Sequence, residues 1–450
     1  MRIAYITQRF PPYELGGADL ITYQMAHRLL EFGHQPLVLC ADDIADASVP
    51  AGQVHEVYEP YQEIPVWRYS FRMRAMPDPY WSIYGVNPLL EEAFIARLTQ
   101  LEPDVVHVTS CGMVTAAALT APKRLELPVL YTLTGKWELC PIGTLLRRDG
   151  SLCAGTQPGM TCLWCLFGET KTFKALRAAP QPFSQALINL ASAQPTLSKI
   201  SSSLNFVQAV ERRNRCLRGI LEDIDLIDSP SHCHIQIYTE SGLLPPGRIQ
   251  YNPHGFEVDK AAQGQVKTPS SCLRFAFTGQ IVPHKGLDTL IQAFKSLPRD
   301  LPAELHVFGD PHKDARCKDL QDLAGDQPNI IWRGPYSHEQ VGQVLSTIDV
   351  VVVPSRCIEN SPLTIAEAFA ARTPVIGSDT CGVEEHIHNN VDGLIFKRGD
   401  INDLAATLNQ IIDNPQLVKR LSSNITPPRT MHDYLLDYIT KYYELISITN

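Results

Sequence analysis

The amino-acid sequence predicts an α/β protein with two domains, each built around a parallel β-sheet. Short apolar runs alternate with amphipathic helical segments along the 450 residues, which is the pattern of strand–helix–strand units. The alternation occurs in two series, and the second begins near Tyr251. We therefore predict two Rossmann-like domains that face a central cleft, with ligands at the carboxyl ends of the strands.

Composition limits the class of protein. The net charge is −9, from 39 basic and 48 acidic residues, which argues against a nucleic acid as the partner. The opening MRIAYITQRF is typical of a strand and lacks the features of a signal peptide. No apolar run approaches the ~20 residues that span a bilayer. We therefore expect a cytoplasmic protein whose twelve cysteines are mostly reduced.

The first predicted domain comprises residues 1–250. Its first strand is predicted at residues 3–6, and a loop with Gly16 and Gly17 leads from it into a helix. A glycine pair in this place lets the backbone approach a phosphate or an acceptor closely, although an ordinary loop turn would look the same. Further strands are predicted at residues 35–40, 105–108 and 128–133.

The second predicted domain comprises residues 251–428, and a last helix follows the Pro427-Pro428 break. Each buried strand of this domain is a short apolar run followed by a helical pattern. The predicted strands are residues 275–278, 304–308, 330–332, 350–353 and 375–376.

Residues 350–379 read as strand, polar turn, helix and strand, with Glu359 in the turn and Glu367 in the helix. Pro362 fits the first helical position and Ser361 the cap before it. The N–H groups of a helix start attract an anion, and Glu367 would lie about 7.5 Å along the axis from Pro362. This arrangement suits a nucleotide-sugar, with its sugar at Glu359 and its ribose at Glu367. The alternative is an ordinary amphipathic helix with an exposed glutamate.

This segment resembles the donor-site signature of the retaining glycosyltransferases of family 4, which have the GT-B fold. The resemblance is carried by Pro354-Ser355, Glu359, Glu367-Ala368 and Pro374-Val375, and weaker likeness extends over nearly the whole chain. It implies that the final segment, residues 429–450, is a helix that crosses back to the N-terminal domain. It also implies that backbone amides of one loop face the sugar hydroxyls and the phosphate. This loop is formed by Asn360, Ser361, Pro362 and Leu363.

The activity implied by the resemblance is a hexosyltransferase reaction that retains the anomeric configuration. The donor would be a nucleotide-diphosphate sugar, with the uridine type favoured and no catalytic metal. The acceptor would be a hydroxyl group on a growing glycan or a lipid-linked molecule, in glycan, polysaccharide or glycoconjugate biosynthesis. Two alternatives are a catalytically degenerate partner protein that only binds the nucleotide-sugar and a GT-B epimerase.

Two catalytic residues follow from the same comparison. Glu359 would bind the sugar, and Lys285, in HKG, would neutralise the diphosphate as the sugar–phosphate bond breaks. The family usually has an arginine where this chain has Gln280, which can donate a hydrogen bond but carries no charge. On the acceptor side, Thr134 stands where relatives often have a histidine, and Lys136 could act electrostatically.

Four of the cysteines lie within residues 140–165, in the pattern C-x12-C-x8-C-x2-C. Cys140, Cys153, Cys162 and Cys165 could supply four thiolates to a structural zinc ion or to an iron–sulfur cluster. The alternatives are a set of small buried thiols and a pair of cysteines that oxidises to a disulfide. A subset of family 4 enzymes has a similar cysteine-bearing loop. The other eight cysteines are scattered, and we expect them to be inert.

Residues 171–218 form a basic stretch in an acidic protein, with aromatic and aliphatic residues such as Phe206 between the charges. Such a stretch could lie on the anionic inner face of a membrane or receive a lipid-linked acceptor. A solvated basic helix face is equally compatible with the pattern. The basic residues are Lys171, Lys174, Arg177, Lys199, Arg212, Arg213, Arg215 and Arg218.

Overall fold

The structure is a computed structural model that describes residues 1–13, 16–76, 78–167, 198–310 and 316–449. The chain forms two compact units. The N-terminal unit consists of Met1–Ser229, Ile235–Tyr251 and the described residues from Tyr438 onward. The C-terminal unit consists of Pro230–His234 and Asn252–Asp437.

The N-terminal unit is built on an eight-stranded sheet in the order β3-β4-β2-β1-β5-β6-β7-β8. Its neighbouring strands are parallel except for the antiparallel pair β3 and β4. The strands are β1 (Arg2–Thr7), β2 (Gln35–Ala41), β3 (Val54–Tyr58), β4 (Val66–Phe71), β5 (Val105–Val108), β6 (Val129–Thr132), β7 (Leu226–Ser229) and β8 (Ile249–Tyr251).

Helices alternate with these strands as the amphipathic segments predict. Within the described part of the chain, the helices before residue 251 are α1 (Gly17–Glu31), α2 (Pro79–Tyr84), α3 (Pro88–Leu101), α4 (Ala117–Arg124), α5 (Gly159–Phe167), α6 (Ser198–Glu222) and α7 (His232–Glu240). Ile3 to Ile6 of β1 are fully buried, because helices cover both faces of a parallel sheet.

The C-terminal unit is built on a six-stranded parallel sheet in the order β11-β10-β9-β12-β13-β14. Its strands are β9 (Leu273–Thr278), β10 (Ala303–Phe308), β11 (Ile330–Gly334), β12 (Val350–Val353), β13 (Val375–Ser378) and β14 (Gly393–Phe396). The described helices after residue 251 are α8 (Val258–Ala262), α9 (Leu287–Lys295), α10 (Arg316–Ala324), α11 (Val341–Ser346), α12 (Leu363–Ala370), α13 (Ile401–Ile412), α14 (Pro415–Asn424) and α15 (Met431–Thr449).

The four valines of β12 explain why this strand is apolar throughout. Side chains alternate between the two faces of a strand. Val350 and Val352 therefore pack in one core with Phe275, while Val351 and Val353 pack in the other with Ile365. Because all four positions of β12 are buried and apolar, the sequence predicts this strand clearly.

The last helix, α15, contributes buried tyrosines to both units. Its Tyr434 belongs to the C-terminal unit, where its hydroxyl lies 2.7 Å from Nδ1 of His254. Its Tyr442 belongs to the N-terminal unit, where its hydroxyl lies 2.6 Å from Nδ1 of His107. The other ring nitrogen of His107 lies 2.8 Å from Thr132 Oγ1, so this buried histidine has a structural role.

Candidate active site

The candidate active site of the C-terminal unit lies at the carboxyl ends of β9 and β12. From β9 the chain continues to β10 on one side of the sheet, and it later returns to β12 on the other side. The connections diverge at this point and leave a crevice, which is where ligands bind in open parallel sheets. Lys285 follows β9 in the chain and Glu359 follows β12.

Lys285 and Glu359 form an ion pair in this crevice. Lys285 Nζ lies 2.8 Å from Glu359 Oε1, and the hydroxyl of Ser355 donates to the same oxygen at 2.7 Å. Burial of Lys285 favours its neutral form, but the charge of Glu359 and the hydrogen bond to it together outweigh this effect, and the pKa of Lys285 is raised. The two residues predicted to be catalytic therefore meet, with the amine held in its charged form.

Two glycines bring the loops close enough for this contact. Gly286 has φ +73°, and a Cβ there would lie 2.0 Å from the carbonyl oxygen of Pro354. Gly382 has φ +86°, and a Cβ there would lie 2.0 Å from the carbonyl oxygen of Glu359. Only glycine fits at these two positions, because a side chain would overlap the backbone of the Glu359 loop.

A disulfide between Cys233 and Cys381 lies next to this loop, since the carbonyl of Cys381 accepts a hydrogen bond from the N–H of Glu359 at 3.1 Å. These two cysteines are therefore exceptions to the expectation that the cysteines are mostly reduced and that those outside residues 140–165 are inert. The two are far apart in sequence, but the fold places their Cα atoms 5.8 Å apart, which suits a disulfide.

The helix after Glu359 begins one residue later than the sequence predicts. Pro362 is the N-cap of α12, with ψ 114°, and not its first helical residue. Ser361 lies outside the helix. Among the described residues, no side-chain hydrogen bond caps the N-terminus of α12. Both loop residues are partly exposed, as are Asn360 and Leu363. The predicted turn and helix are confirmed, and only the cap assignment is corrected.

Glu367 lies in the middle of α12 and is only 9% exposed, so it is not the exposed glutamate of an ordinary surface helix. Its Oε1 lies 3.3 Å from Nδ1 of His338, a residue that the sequence analysis missed. Burial and the charge of Glu367 raise the pKa of Tyr336, which also lies close by. Gln280 is exposed in the loop that leads from β9 to Lys285.

The remaining predicted residues lie in the N-terminal unit. Gly16 is the N-cap of α1, and its N–H donates to Asp19 Oδ2 at 3.0 Å. Gly17 has no atom within 4 Å of the position a Cβ would take, so the space beside it is open. The hydroxyl of Thr134 donates to the carbonyl of Thr109, and Lys136 is buried.

Comparison with known families decides the class of enzyme. Residues 260–426 match the family described as "Glycosyl transferases group 1", and residues 16–158 match "Glycosyl transferase 4-like domain". Together the two matches cover most of both units.

The chain is a glycosyltransferase of the family 4 type.

Curated relatives of this glycosyltransferase match it over part of its length. The lipopolysaccharide 1,2-N-acetylglucosaminetransferase of Salmonella typhimurium is 26% identical over 266 residues, 50% of this chain and 68% of that protein. The D-inositol 3-phosphate glycosyltransferase of Mycolicibacterium smegmatis is 29% identical over 36% of this chain and 38% of that protein. An exopolysaccharide phosphotransferase of Streptomyces coelicolor is 29% identical over 43% of this chain, but the match spans only 19% of that protein.

Solved structures resemble this glycosyltransferase over nearly its whole length. Sucrose-phosphate synthase from Thermosynechococcus elongatus has a TM-score of 0.65 at 18% identity, with 99% of each chain covered. An Anabaena protein in complex with UDP and glucose has a TM-score of 0.61 at 15% identity, again with 99% of each chain covered. At such identities the likeness establishes the fold, which is GT-B as the sequence predicts.

The four predicted metal ligands of this glycosyltransferase line one small cavity in the N-terminal unit. Burial, together with the neighbouring thiols, raises the pKa of Cys162 to about 12. Among the described residues, no three or more His, Cys, Asp or Glu side chains are already placed to hold a metal ion. The metal site of Cys140, Cys153, Cys162 and Cys165 therefore stays a prediction.

The predicted membrane-facing stretch, residues 171–218, is only partly described. Lys171, Lys174 and Arg177 lie outside the described residues, as does the side chain of Lys199. Phe206 and Arg213 are buried within the N-terminal unit, so their assignment to a solvent- or membrane-facing surface is wrong. They lie on the inner face of the amphipathic helix α6, where an arginine can be buried if it finds acceptors. No helix in the described part of the chain is long and apolar enough to cross a bilayer.

Proposed function

We propose that this glycosyltransferase moves a hexose-type sugar from a nucleotide diphosphate, of the uridine type, to an acceptor hydroxyl with retention of configuration. The observation that carries the proposal is the ion pair of Lys285 and Glu359, at the switch point of the C-terminal sheet. Glu367 lies on the helix that follows, about 6 Å further along its axis than Leu363.

Each residue of this group has a role that its position supports. Glu367 binds the ribose hydroxyls as an acceptor, and its contact with His338 holds the carboxylate in place before the donor arrives. Glu359 accepts hydrogen bonds from the sugar hydroxyls. Lys285 lies beside it, so its ammonium group faces the diphosphate between the sugar and the ribose. The N–H groups at the start of α12 assist it.

The transfer itself breaks the bond between the sugar C1 and the diphosphate oxygen and forms a bond from C1 to the acceptor oxygen. The acceptor proton passes to the departing diphosphate on the same face of the sugar, so no side chain has to act as the base. Lys285 stabilises the charge that grows on the diphosphate. Under this proposal the lack of a histidine at Thr134 leaves the reaction possible.

The proposed identities of the donor base and of the acceptor have weaker support. The UDP complex of the Anabaena protein, which has the same fold, supports a uridine diphosphate donor. A relative that is a lipopolysaccharide N-acetylglucosaminetransferase supports a growing or lipid-linked glycan as the acceptor. Gly16 and Gly17 remain proposed at the diphosphate, and Thr134 and Lys136 at the acceptor. Membrane contact through the exposed Arg215 and Arg218 is a further part of the proposal.

We also propose a structural metal ion on the loop of residues 140–165, held by its four cysteines. The convergence of the four on one cavity supports it. This ion would stabilise the loop and would take no part in the transfer.

A thermal-shift panel tests donor binding. Uridine, guanosine and adenosine diphosphate sugars are each added to the wild type and to Glu367→Ala and Glu367→Gln. We expect the uridine diphosphate sugars to raise the melting temperature of the wild type most, with the effect lost in Glu367→Ala and reduced in Glu367→Gln, which keeps an acceptor oxygen. If no donor stabilises the wild type, the proposed site is wrong.

A further inference from the structure

The cysteine cavity of the N-terminal unit is assembled from three short pieces of chain. Cys140 ends a turn in which its N–H donates to the carbonyl of Lys136 at 2.9 Å. Cys153 ends a hairpin in which Leu146 pairs with Leu152. Cys162 and Cys165 lie on α5, three residues apart and therefore on one face. The cavity that these thiols line has a volume of about 30 Å³.

Arg213 is buried beside this cavity, with only 1% of its surface exposed. One end of its guanidinium group donates to the carbonyl of Trp137, but its Nε has no hydrogen-bond partner. The charge of Arg213 lies within electrostatic range of Cys140 and Cys162. A buried N–H without an acceptor is unfavourable, so the protein has a reason to place an acceptor there.

A buried carboxylate that interacts with Arg213 through its charge is already engaged elsewhere. Glu138 is buried, and its two oxygens accept from the hydroxyls of Tyr131 and Tyr238, the latter at 2.5 Å. Glu138 interacts with Arg213 through its charge, but no hydrogen bond joins them. Cys140 and Cys162, which also interact with Arg213 through its charge, are therefore groups that could use its Nε–H.

We propose that Cys140, Cys153, Cys162 and Cys165 bind a single zinc ion as thiolates, and that Arg213 is the positioning residue that compensates their charge. Four thiolates around Zn²⁺ leave two negative charges, and buried charges require partners. Arg213 supplies one cation, and Arg147, which also lines the cavity, supplies another. The inference deepens the structural-metal proposal above and is independent of the donor site.

The size of the cavity favours one of the two metal centres that the cysteine pattern allows. Its volume of about 30 Å³ is above the ~10–15 Å³ that a single water molecule needs, so it has room for one ion. An iron–sulfur cluster holds several iron and sulfide atoms and needs more space.

The sulfur atoms must converge on the ion, because the described residues contain no group already placed around a metal. The turns between the cysteines contain three glycines with positive φ, Gly143, Gly150 and Gly155. Glycine gives the backbone of such turns a wide choice of conformations, which the convergence of the sulfur atoms requires.

Helix α6 is attached to the cysteine loop by more than Arg213. The carboxylate of Glu211 accepts from the N–H of Gly159 at 2.6 Å, and the amide of Asn214 donates to the carbonyl of Gln157 at 2.9 Å. Metal binding would therefore stabilise the contact between this helix and the loop, in addition to the loop itself.

The test measures zinc in protein purified under reducing conditions and reconstituted with zinc chloride. We expect equimolar zinc in the wild type and much less in Cys162→Ser. In competition with a chelator, Arg213→Gln should bind zinc about 10- to 100-fold more weakly than the wild type. Arg215→Gln is the matched control, because Arg215 lies on the same helix but is exposed, and its zinc affinity should be unchanged.

Arg213→Lys covers the case in which Arg213→Gln fails to fold, because it keeps the charge and should retain most of the affinity. Wild-type protein that takes up no zinc would overturn the inference, as would bound iron with visible absorption. Equal zinc affinities of Arg213→Gln and Arg215→Gln would remove the role given to Arg213. Donor-induced thermal stabilisation of each variant reports separately on the sugar-transfer site, so failure of one proposal is distinguishable from failure of the other.

Discussion

At the scale of single residues, Gly286 determines whether Lys285 can reach Glu359. Its left-handed backbone turns the chain between Lys285 and α9, and its missing side chain lets the carbonyl of Pro354 approach. The loops that carry the two charged residues therefore pack backbone against backbone. The ion pair depends on a contact between residues that are distant in sequence.

We expect Gly286→Ala to disrupt this ion pair. The matched control is Gly33→Ala, because Gly33 has the same φ of +73° but no atom near its Cβ position. The control should lose about 1 kcal/mol of unfolding free energy from backbone strain alone. Gly286→Ala should lose more, from overlap with Pro354, and should also weaken donor-induced thermal stabilisation. Equal losses in the two variants would contradict the steric argument.

The sequence predicts the two glutamates of the site but not their partners. Glu359 and Glu367 are predictable because a buried strand, a turn and a helix fix their places along one continuous segment. The contacts of Glu359 with Ser355 and Lys285 depend on how the side chains are oriented in the folded protein. The same holds for the contact of Glu367 with His338. His338 carries no signal in the sequence, since its loop follows β11 and approaches α12 only in the folded sheet.

At the scale of elements, α15 is held in the N-terminal unit by buried tyrosine hydroxyls. Tyr442 lies 2.6 Å from Nδ1 of His107 and 3.2 Å from the hydroxyl of Tyr5. These partners are buried, so they have no water to replace a lost hydrogen bond. Tyr443, the next residue, is 55% exposed.

Tyr442→Phe should therefore lower the free energy of unfolding by about 1–3 kcal/mol, because it leaves buried polar atoms unsatisfied. Tyr443→Phe, the neighbouring control, should change it by less than about 0.5 kcal/mol. Chemical denaturation of the two variants beside the wild type measures both values. A Tyr442→Phe protein as stable as the control would show that these hydroxyls do not hold the helix.

Strands differ in how well the sequence predicts them. Nine strands are found from their apolar runs, β12 to the residue, whereas β7, β8 and β14 are not predicted. The antiparallel pair β3 and β4 is missed, because β3 lies at the edge of the sheet and carries polar residues such as His55 and Glu56. The pairing of a short edge strand with its neighbour depends on the sheet and has no signature in its own sequence.

At the scale of the whole molecule, one buried histidine makes the stability of the C-terminal unit depend on pH. Burial, with the charges of His386 and Arg429, lowers the pKa of His254 to about 3. Between this pH and about 6.5, the unfolded chain binds a proton that the folded chain excludes. Stability should therefore fall as the pH decreases through this window.

The variant His254→Gln lacks this titratable group. The difference between its pH dependence of stability and that of the wild type is therefore the contribution of His254. Between pH 6 and pH 4, the free energy of unfolding of the wild type should fall about 1.4 kcal/mol per pH unit more steeply than that of the variant. The exposed His432 provides the control, since His432→Gln should keep the wild-type slope. Parallel slopes for the wild type and His254→Gln would contradict the assignment.

The configuration of the sugar released from the donor tests the central proposal most directly, because it reports both on retention and on the role of Lys285. The purified enzyme is incubated with the α-linked uridine diphosphate sugar that stabilises it most, and the sugar set free by slow hydrolysis is followed by nuclear magnetic resonance before mutarotation. Retention predicts that the α anomer appears first and that Lys285→Ala abolishes its release. Initial formation of the β anomer, or undiminished release by Lys285→Ala, would contradict the account.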